Sequence, residues 1–324
     1  MNRSIMRNSF ILLPLLIGCS GVDAGLKLPR EPYYDPDAAT EGGTLPDEPG
    51  DDDDSNSGTD AGPQTAPDID AISWRKGVDI GTGVAMKDAA NPAGSSLFVA
   101  YGGFNVSLEA TEAWASALYK STLQAKGVRY IWAVQGPAQS NYAGLEIGNS
   151  KIATAMTTLV TPTTKYILVA AHSSGSFVAH ELLNQLANGR DPGNVTQGKV
   201  IYFNLDGGSQ GGAATTGLSS TVVGRLKKAY FVSPMANGTD GFNTATMQSL
   251  GATYAGSGGY FTVDSSASGC GAGNHDCVHI SLITTKPHNP AGPADPTADY
   301  ADYAGRSVTT AYLDMKAAEA GIAP

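Results

Sequence analysis

The pattern of apolar and polar positions separates a long N-terminal segment without periodicity from a domain that begins near residue 71. In the domain, short apolar runs alternate with segments in which apolar residues recur at helical spacing. The predicted strands span residues 96–100, 128–134, 166–171, 200–205, 229–232 and 260–263. The predicted helices span residues 109–125, 148–160, 176–187, 244–254 and 303–320. Such alternation indicates parallel βαβ units, so we predict one α/β domain over residues 71–324, with a mostly parallel sheet flanked by helices.

The first residues have the pattern of an export signal. Two arginines precede an apolar run over residues 11–17, which is too short to span a bilayer, so we predict a signal peptide over residues 1–18. Residues 16–19, Leu-Ile-Gly-Cys, resemble the lipobox of bacterial lipoproteins. The resemblance implies that the chain is cut before Cys19 and that a lipid on Cys19 anchors it to a membrane. In the sorting pattern of these lipoproteins an aspartate after the cysteine favours the inner membrane, so by this resemblance the serine after Cys19 implies the outer membrane or the cell surface.

Residues 19–70 are predicted to form a tether that does not fold on its own. They are rich in Pro, Gly, Asp, Ser and Thr and show no apolar periodicity, so they cannot bury enough surface to form a core. Residues 20–70 carry 14 acidic and 2 basic side chains, whereas residues 71–324 carry 16 of each. The acidity of the chain therefore belongs to the tether, and the neutral domain offers no basic stripe for nucleic acid.

One of three serines in the segment Ala-Ala-His-Ser-Ser-Gly-Ser, residues 170–176, fits the position of a nucleophile. A nucleophilic serine on a sharp strand-to-helix turn needs small residues two positions before and two positions after it. Ser173 has Ala171 and Gly175 at those positions. Ser174 would have a histidine at the first of them, and the third serine falls inside the predicted helix. The spacing therefore favours Ser173.

This segment resembles the Gly-x-Ser-x-Gly elbow of the α/β-hydrolases, with Ala171 in place of the first glycine. The resemblance implies the α/β-hydrolase fold and a nucleophile at Ser173. It also implies an oxyanion hole formed by the amide of Ser174 and an amide from Gly103 or Phe104, in the loop after an earlier strand. A tyrosine precedes these glycines where the family usually has a histidine.

Two aspartates are candidates for the acid that orients the catalytic histidine. Asp206 directly ends an apolar strand and resembles the acid in the Leu-Asp-Pro-Ala segment of pancreatic-type lipases. Asp240 lies beyond the next strand, where most of the superfamily keeps its acid, but its surroundings read as a turn. Asp206 is preferred because an unpaired carboxylate at the end of an apolar strand would be costly.

Three histidines follow the last predicted strand, where the family order places the base. His279 begins the segment His-Ile-Ser-Leu-Ile, which resembles the His-x-x-Leu of small bacterial lipases, in which the histidine stands directly before a helix. His279 is therefore preferred, with His288 and His275 as alternatives.

Cys270 and Cys277 are predicted to form a disulfide, because an exported chain with two cysteines seven residues apart favours oxidation. Zinc binding by these cysteines together with His275 and His279 is the alternative. The spacing matches no familiar zinc pattern, so no metal is expected.

These features predict a serine hydrolase that cleaves carboxylic esters through an acyl-enzyme, without a cofactor. The substrate would be a small-molecule, lipid or polymer ester, and no obligate protein partner is implied. One alternative is an inactive, surface-displayed binding lipoprotein on the same scaffold; others are a polyester depolymerase and a serine peptidase. The aromatic candidates for a substrate pocket are Tyr101, Phe104, Tyr142 and Phe242, with ordinary packing as the preferred interpretation of each.

Overall fold

The computed structural model describes residues 67–92, 94–138, 140–208, 217–284 and 308–320. The predicted signal peptide, Cys19, most of the predicted tether and His288 lie outside the described residues. In the part of the chain that the structure describes, no helix has the length and apolar content needed to cross a bilayer.

A sheet of eight strands lies at the centre of the described residues. The strands are β1 (Val84–Asp88), β2 (Ser96–Tyr101), β3 (Val128–Val134), β4 (Ile167–His172), β5 (Val200–Leu205), β6 (Lys228–Ala236), β7 (Thr239–Asp240) and β8 (Gly258–Asp264). Their order is β1-β3-β2-β4-β5-β6, and both β7 and β8 pair with β6. The pairs are parallel except for β1 with β3 and β7 with β6. The predicted fold class is confirmed, since this is a mostly parallel sheet flanked by helices.

Seven α-helices flank the sheet within the described residues. They are α1 (Leu108–Leu118), α2 (Tyr142–Leu159), α3 (Gly175–Gln185), α4 (Ser220–Val223), α5 (Thr244–Thr253), α6 (His275–Ile280) and α7 (Val308–Glu319). A π-helical turn extends α1 over Tyr119–Leu123, and another follows α3 over Leu186–Arg190. Short 3₁₀ turns lie at Ile69–Ala71, Ala255–Ser257 and Ser266–Ser268.

Two apolar cores cover the two faces of the sheet, which explains why the central strands are apolar at almost every position. In β2, Phe98 belongs to the core that includes residues of α1 and α7, whereas Leu97 and Val99 belong to the core that includes residues of α2 and α3. All six residues of β2 are buried. A strand covered on both faces gains nothing from alternation, so its sequence reads as a continuous apolar run.

Strand β1 was not predicted, because a lysine interrupts its apolar pattern. Lys87 is nevertheless buried, and its ammonium donates a hydrogen bond to the backbone oxygen of Ile69 (2.8 Å) and lies 4.8 Å from the ring centre of Trp74. Ile69 is itself buried in the core. The packed domain therefore includes residues just before the predicted boundary at residue 71.

The neighbouring parallel strands β2, β4 and β5 bring the segments that carry the candidate residues to one edge of the sheet. The loops that begin after these strands contain Gly103, Ser173 and Asp206, respectively. In parallel sheets, functional groups gather at the carboxyl ends of the strands. The topology therefore satisfies the positional requirement for a common site.

A buried histidine predicts that the domain loses stability in acid. His180 on α3 is fully buried, its Nε2 lies 2.9 Å from the hydroxyl of Tyr202, and desolvation lowers its pKa from 6.5 to about 3. Below about pH 6.5 the His180 side chain binds a proton in the unfolded chain but not in the folded chain. The contribution of His180 to the unfolding free energy is therefore complete above that pH and declines as the pH falls. We expect a loss of about 2 kcal/mol in unfolding free energy by pH 5 from this group.

Urea denaturation of the wild type and of His180→Gln at pH 7 and pH 5 measures this contribution. The glutamine can still hydrogen-bond to Tyr202 but does not titrate. An equal decline in both proteins would contradict the prediction.

Candidate active site

Ser173 occupies a strained turn between β4 and α3. Its φ is +54°, a conformation that residues other than glycine rarely adopt, and its amide donates to the backbone oxygen of Leu205 (3.0 Å). A side chain at Gly175 would overlap the backbone oxygen of Gly102. The requirement for a small residue two positions after the serine therefore comes from the close approach of the β2 loop.

The other two serines of the segment have different surroundings. Ser174 immediately precedes α3, and no described residue accepts a hydrogen bond from its amide. Ser176 is buried, and its Oγ accepts a hydrogen bond from the amide of Gly208 (2.8 Å). Ser174 thus has a backbone donor with no acceptor among the described residues, while Ser176 links α3 to the loop that follows β5.

The loop after β2 is held in place by backbone hydrogen bonds. The amide of Gly102 donates to Val134 O (3.0 Å), and the amide of Val106 donates to Gly103 O (3.1 Å). Because Gly102 also lies against the serine turn, the amides of Gly103 and Phe104 follow directly on a segment in contact with the elbow. The ring of Phe104 is 55% exposed.

Tyr101, one of the four aromatic candidates, does not line an open pocket. Tyr101 is fully buried and donates its hydroxyl hydrogen to Asn149 Oδ1 (2.8 Å), while Asn149 Nδ2 donates to Val178 O (2.7 Å). The tyrosine that ends β2 therefore ties the β2 loop to α2 and α3. Tyr142 is partly buried and packs against the apolar core to which Tyr101 belongs.

Asp206 is the aspartate that meets a histidine ring. It is fully buried in a turn with φ of +47°, and His279 Nδ1 lies 2.6 Å from its Oδ2. The second carboxylate oxygen accepts the amide of Asn243 (3.1 Å), and Asn243 Nδ2 donates to Asp206 O (2.7 Å). Asp240 instead contributes its backbone oxygen, which accepts a hydrogen bond from His275 Nδ1 (2.7 Å).

His279 lies inside a helix rather than directly before one, contrary to the expected arrangement. Asn274 caps α6 by accepting the amide of Cys277 on its side chain (3.1 Å), so the helix begins at His275 and includes His279 in its last turn. His279 is buried, whereas His275 is exposed.

The hydrogen bond to Asp206 determines which nitrogen of His279 is available for chemistry. Because a carboxylate oxygen only accepts, Nδ1 carries the hydrogen and Nε2 of the neutral ring keeps its lone pair. His172 stacks on this ring with 4.5 Å between centres and donates from Nε2 to His279 O (3.1 Å). Burial, followed by the charge of His279, lowers the pKa of His172 well below its ordinary range. His172 therefore supports the backbone of His279 as a neutral group.

Cys270 and Cys277 form the predicted disulfide, with 5.6 Å between their Cα atoms. Because Cys277 belongs to α6, the bond secures the helix that carries His279. The zinc alternative is wrong, since both sulfurs are used in the disulfide and His279 faces Asp206. Within the described ranges, no group of three or more His, Cys, Asp or Glu side chains could hold a metal ion.

Residues 241–243 contact Asp206 and His279 in ways that the sequence did not predict, although Phe242 was a candidate pocket residue. A side chain at Gly241 would overlap the carboxylate of Asp206, Phe242 meets the ring of His279 edge-on with 5.3 Å between centres, and Asn243 binds Asp206. These contacts join a loop after β7 to residues far along the chain, so no local pattern could reveal them.

No protein-family model matches the chain, and no curated protein matches it. Among solved structures, the chain is similar to an α/β-hydrolase enzyme from a Medee basin deep-sea metagenome library, with 11% identity and a TM-score of 0.38, over 59% of this chain and 80% of that one. It is also similar to a sugar hydrolase from Lactococcus lactis, with 10% identity and a TM-score of 0.41, over 77% of this chain and 99% of that one. At these levels of similarity, the chemistry of the site has to be argued from its own atoms.

Proposed function

We propose that this protein is a serine hydrolase that cleaves carboxylic esters, with Ser173 as nucleophile, His279 as base and Asp206 as the acid that orients it. The observation that carries the proposal is the 2.6 Å contact between His279 Nδ1 and the buried Asp206 carboxylate. Asp206 lies in the loop after β5, beside the strained turn that contains Ser173. A buried carboxylate is costly unless it is paired. Here the partners of that carboxylate are the imidazole and the amide of Asn243.

In the first step, Ser173 Oγ attacks the ester carbonyl carbon while His279 Nε2 takes the hydroxyl proton. The amide of Ser174, with that of Gly103 or Phe104, receives the negative charge on the carbonyl oxygen. The C–O bond to the alcohol then breaks, and His279 passes its proton to the departing oxygen. Water attacks the acyl-enzyme by the same route in reverse and releases the acid.

Asp206 acts by position and charge throughout these steps. The amide of Asn243 donates to its Oδ1, which holds the carboxylate in position beside the imidazole. The carboxylate keeps the imidazole in the required tautomer and stabilises the imidazolium that forms.

A polyester depolymerase or a serine peptidase would use the same chemistry on a different leaving group. The proposed membrane anchor rests on residues 16–19 alone.

A fluorophosphonate probe tests the nucleophile directly. We expect the folded protein to be labelled once, on Ser173, with fragmentation of the labelled peptide separating that position from Ser174 and Ser176. Excess ester substrate should slow labelling, and heat-denatured protein should not react. Absence of a label, or a label on another serine of the segment, would contradict the proposal and favour an inactive binding protein. Parallel assays on esters and peptides distinguish an esterase from a peptidase.

A further inference from the structure

An exposed aromatic ring lies against the proposed catalytic base. Phe242 is 57% exposed, and its ring meets that of His279 edge-on, with 5.3 Å between centres and 60° between planes. The ring of His275 stacks on Phe242 with 6.3 Å between centres and 27° between planes. We refer to Phe242 and His275 together as the aromatic shelf. Among the described phenylalanines, Phe104 and Phe242 have more than half of their surface exposed.

The aromatic shelf is held on both sides before any ligand arrives. His275 Nδ1 donates to Asp240 O (2.7 Å), which orients its ring. On the other side, Asn243 is fixed to Asp206 by two hydrogen bonds. A rigid aromatic surface loses little conformational entropy when it binds a ligand. The burial of an exposed aromatic ring beneath a flat apolar group is favourable because it removes apolar surface from water.

The direction of the reaction determines which half of an ester would reach this shelf. His279 takes the serine proton and then delivers it to the departing alcohol oxygen, so the alcohol leaves beside the imidazole. The carbonyl oxygen is received by amides in the loops after β2 and β4. Phe242 contacts the imidazole that delivers this proton, so an aromatic group on an alcohol leaving beside the imidazole comes within reach of the Phe242 ring.

We propose that the aromatic shelf binds the alcohol half of the substrate and selects esters of aromatic alcohols. The inference rests on the proposed esterase activity and adds its substrate class. Phe242 is the specificity-determining residue, and His275 supports it by stacking. The acyl half lies elsewhere and is not selected by these two rings.

Two pairs of esters separate the two halves of the substrate. Ethyl acetate and benzyl acetate differ in the alcohol, whereas ethyl acetate and ethyl phenylacetate differ in the acyl group. Phe242→Ala is expected to lower kcat/KM for benzyl acetate by about tenfold relative to ethyl acetate, since a lost apolar contact of this size typically changes selectivity by this factor. The ratio for the acyl pair should be unchanged. All rates are normalised to sites labelled by the fluorophosphonate probe.

The step that changes gives a second readout that a general structural defect would not mimic. Both acetates form the same acetyl-enzyme, so their deacylation rates must be equal, and the loss should appear in acylation alone. Phe242→Tyr, which retains an aromatic ring, should restore the preference for benzyl acetate. Ile147→Ala on α2, where the native residue is 58% exposed, is the control for loss of an exposed apolar side chain away from the site.

An equal loss for benzyl and ethyl acetate, or a loss confined to the phenylacetate, would overturn the inference while leaving the esterase proposal intact. Labelling of Ser173 with no preference for benzyl acetate in the wild type would do the same. Failure of Ser173 to react with the probe, with no ester hydrolysed, would instead overturn the proposed function and the inference together.

Discussion

Ser173→Ala is expected to lower kcat for an ester by about 10⁴- to 10⁶-fold, because removal of the nucleophile leaves only the oxyanion hole and substrate binding to accelerate attack by water. The turn that holds Ser173 at φ of +54° accepts alanine no worse than serine, since both carry a Cβ. Folding should therefore be retained. Steady-state hydrolysis of ethyl acetate, with circular dichroism of both proteins, measures the effect.

Two further serine variants make that result specific. Ser174→Ala keeps the backbone amide that is proposed to bind the oxyanion, so its loss should be smaller than that of Ser173→Ala by at least about 10³-fold. Ser121→Ala removes a hydroxyl that donates to Ala117 O (2.8 Å), away from the site, and should leave hydrolysis intact. A Ser173→Ala protein that retains more than about one per cent of wild-type kcat would exclude Ser173 as the nucleophile.

The second large effect is expected at the base. His279→Ala should lower kcat by an amount similar to that for Ser173→Ala, because nucleophile and base act as one unit and the loss of either removes most of the chemistry. The variant also removes the imidazole partner of the Asp206 carboxylate, so its unfolding free energy has to be measured beside the kinetics. Labelling by the fluorophosphonate probe should slow in parallel with hydrolysis.

Comparison with His275→Ala identifies the correct histidine. That ring bonds to a backbone oxygen rather than to a carboxylate, and its proposed part is to support Phe242, so a loss of about tenfold on benzyl acetate is expected. His180→Gln, a buried position on α3, serves as a histidine variant outside the site at pH 7, where its native contribution does not depend on protonation. If His275→Ala lost as much activity as His279→Ala, the proposed role of the Asp206–His279 pair would be wrong.

The sequence predicted the central strands and the elbow because their physical causes are local. Strand β5 lies where a nearly continuous apolar run predicted it, since all six of its residues are buried. The small residues around Ser173 reflect the crowding of one turn. Strand β1 escaped prediction because Lys87 satisfies its ammonium through a distant backbone oxygen.

The remaining parts of the site depend on contacts between distant segments. His275 and His279 lie four residues apart in the same helix, and only their partners in the fold, Asp240 O and the Asp206 carboxylate, distinguish them. The start of α6 was missed because the capping Asn274 follows a glycine-rich loop that a disulfide closes. Phe242 was a candidate only as a pocket aromatic and Asn243 left no signal, since their contacts with His279 and Asp206 exist only after β7 and α6 have packed.

The residues of the proposed site are held by two separate sets of interactions, one of which is the disulfide. The segments of the proposed nucleophile and acid are joined to each other, because the amide of Ser173 donates to Leu205 O and the amide of Gly208 donates to Ser176 Oγ. The proposed base, His279, belongs to the six-residue helix α6. The Cys270–Cys277 disulfide links this helix to the loop that precedes it. Short peripheral elements open locally at lower free energy than a central sheet. On heating, activity would therefore be lost when α6 opens, at a temperature that depends on the disulfide and at which the central sheet is still folded.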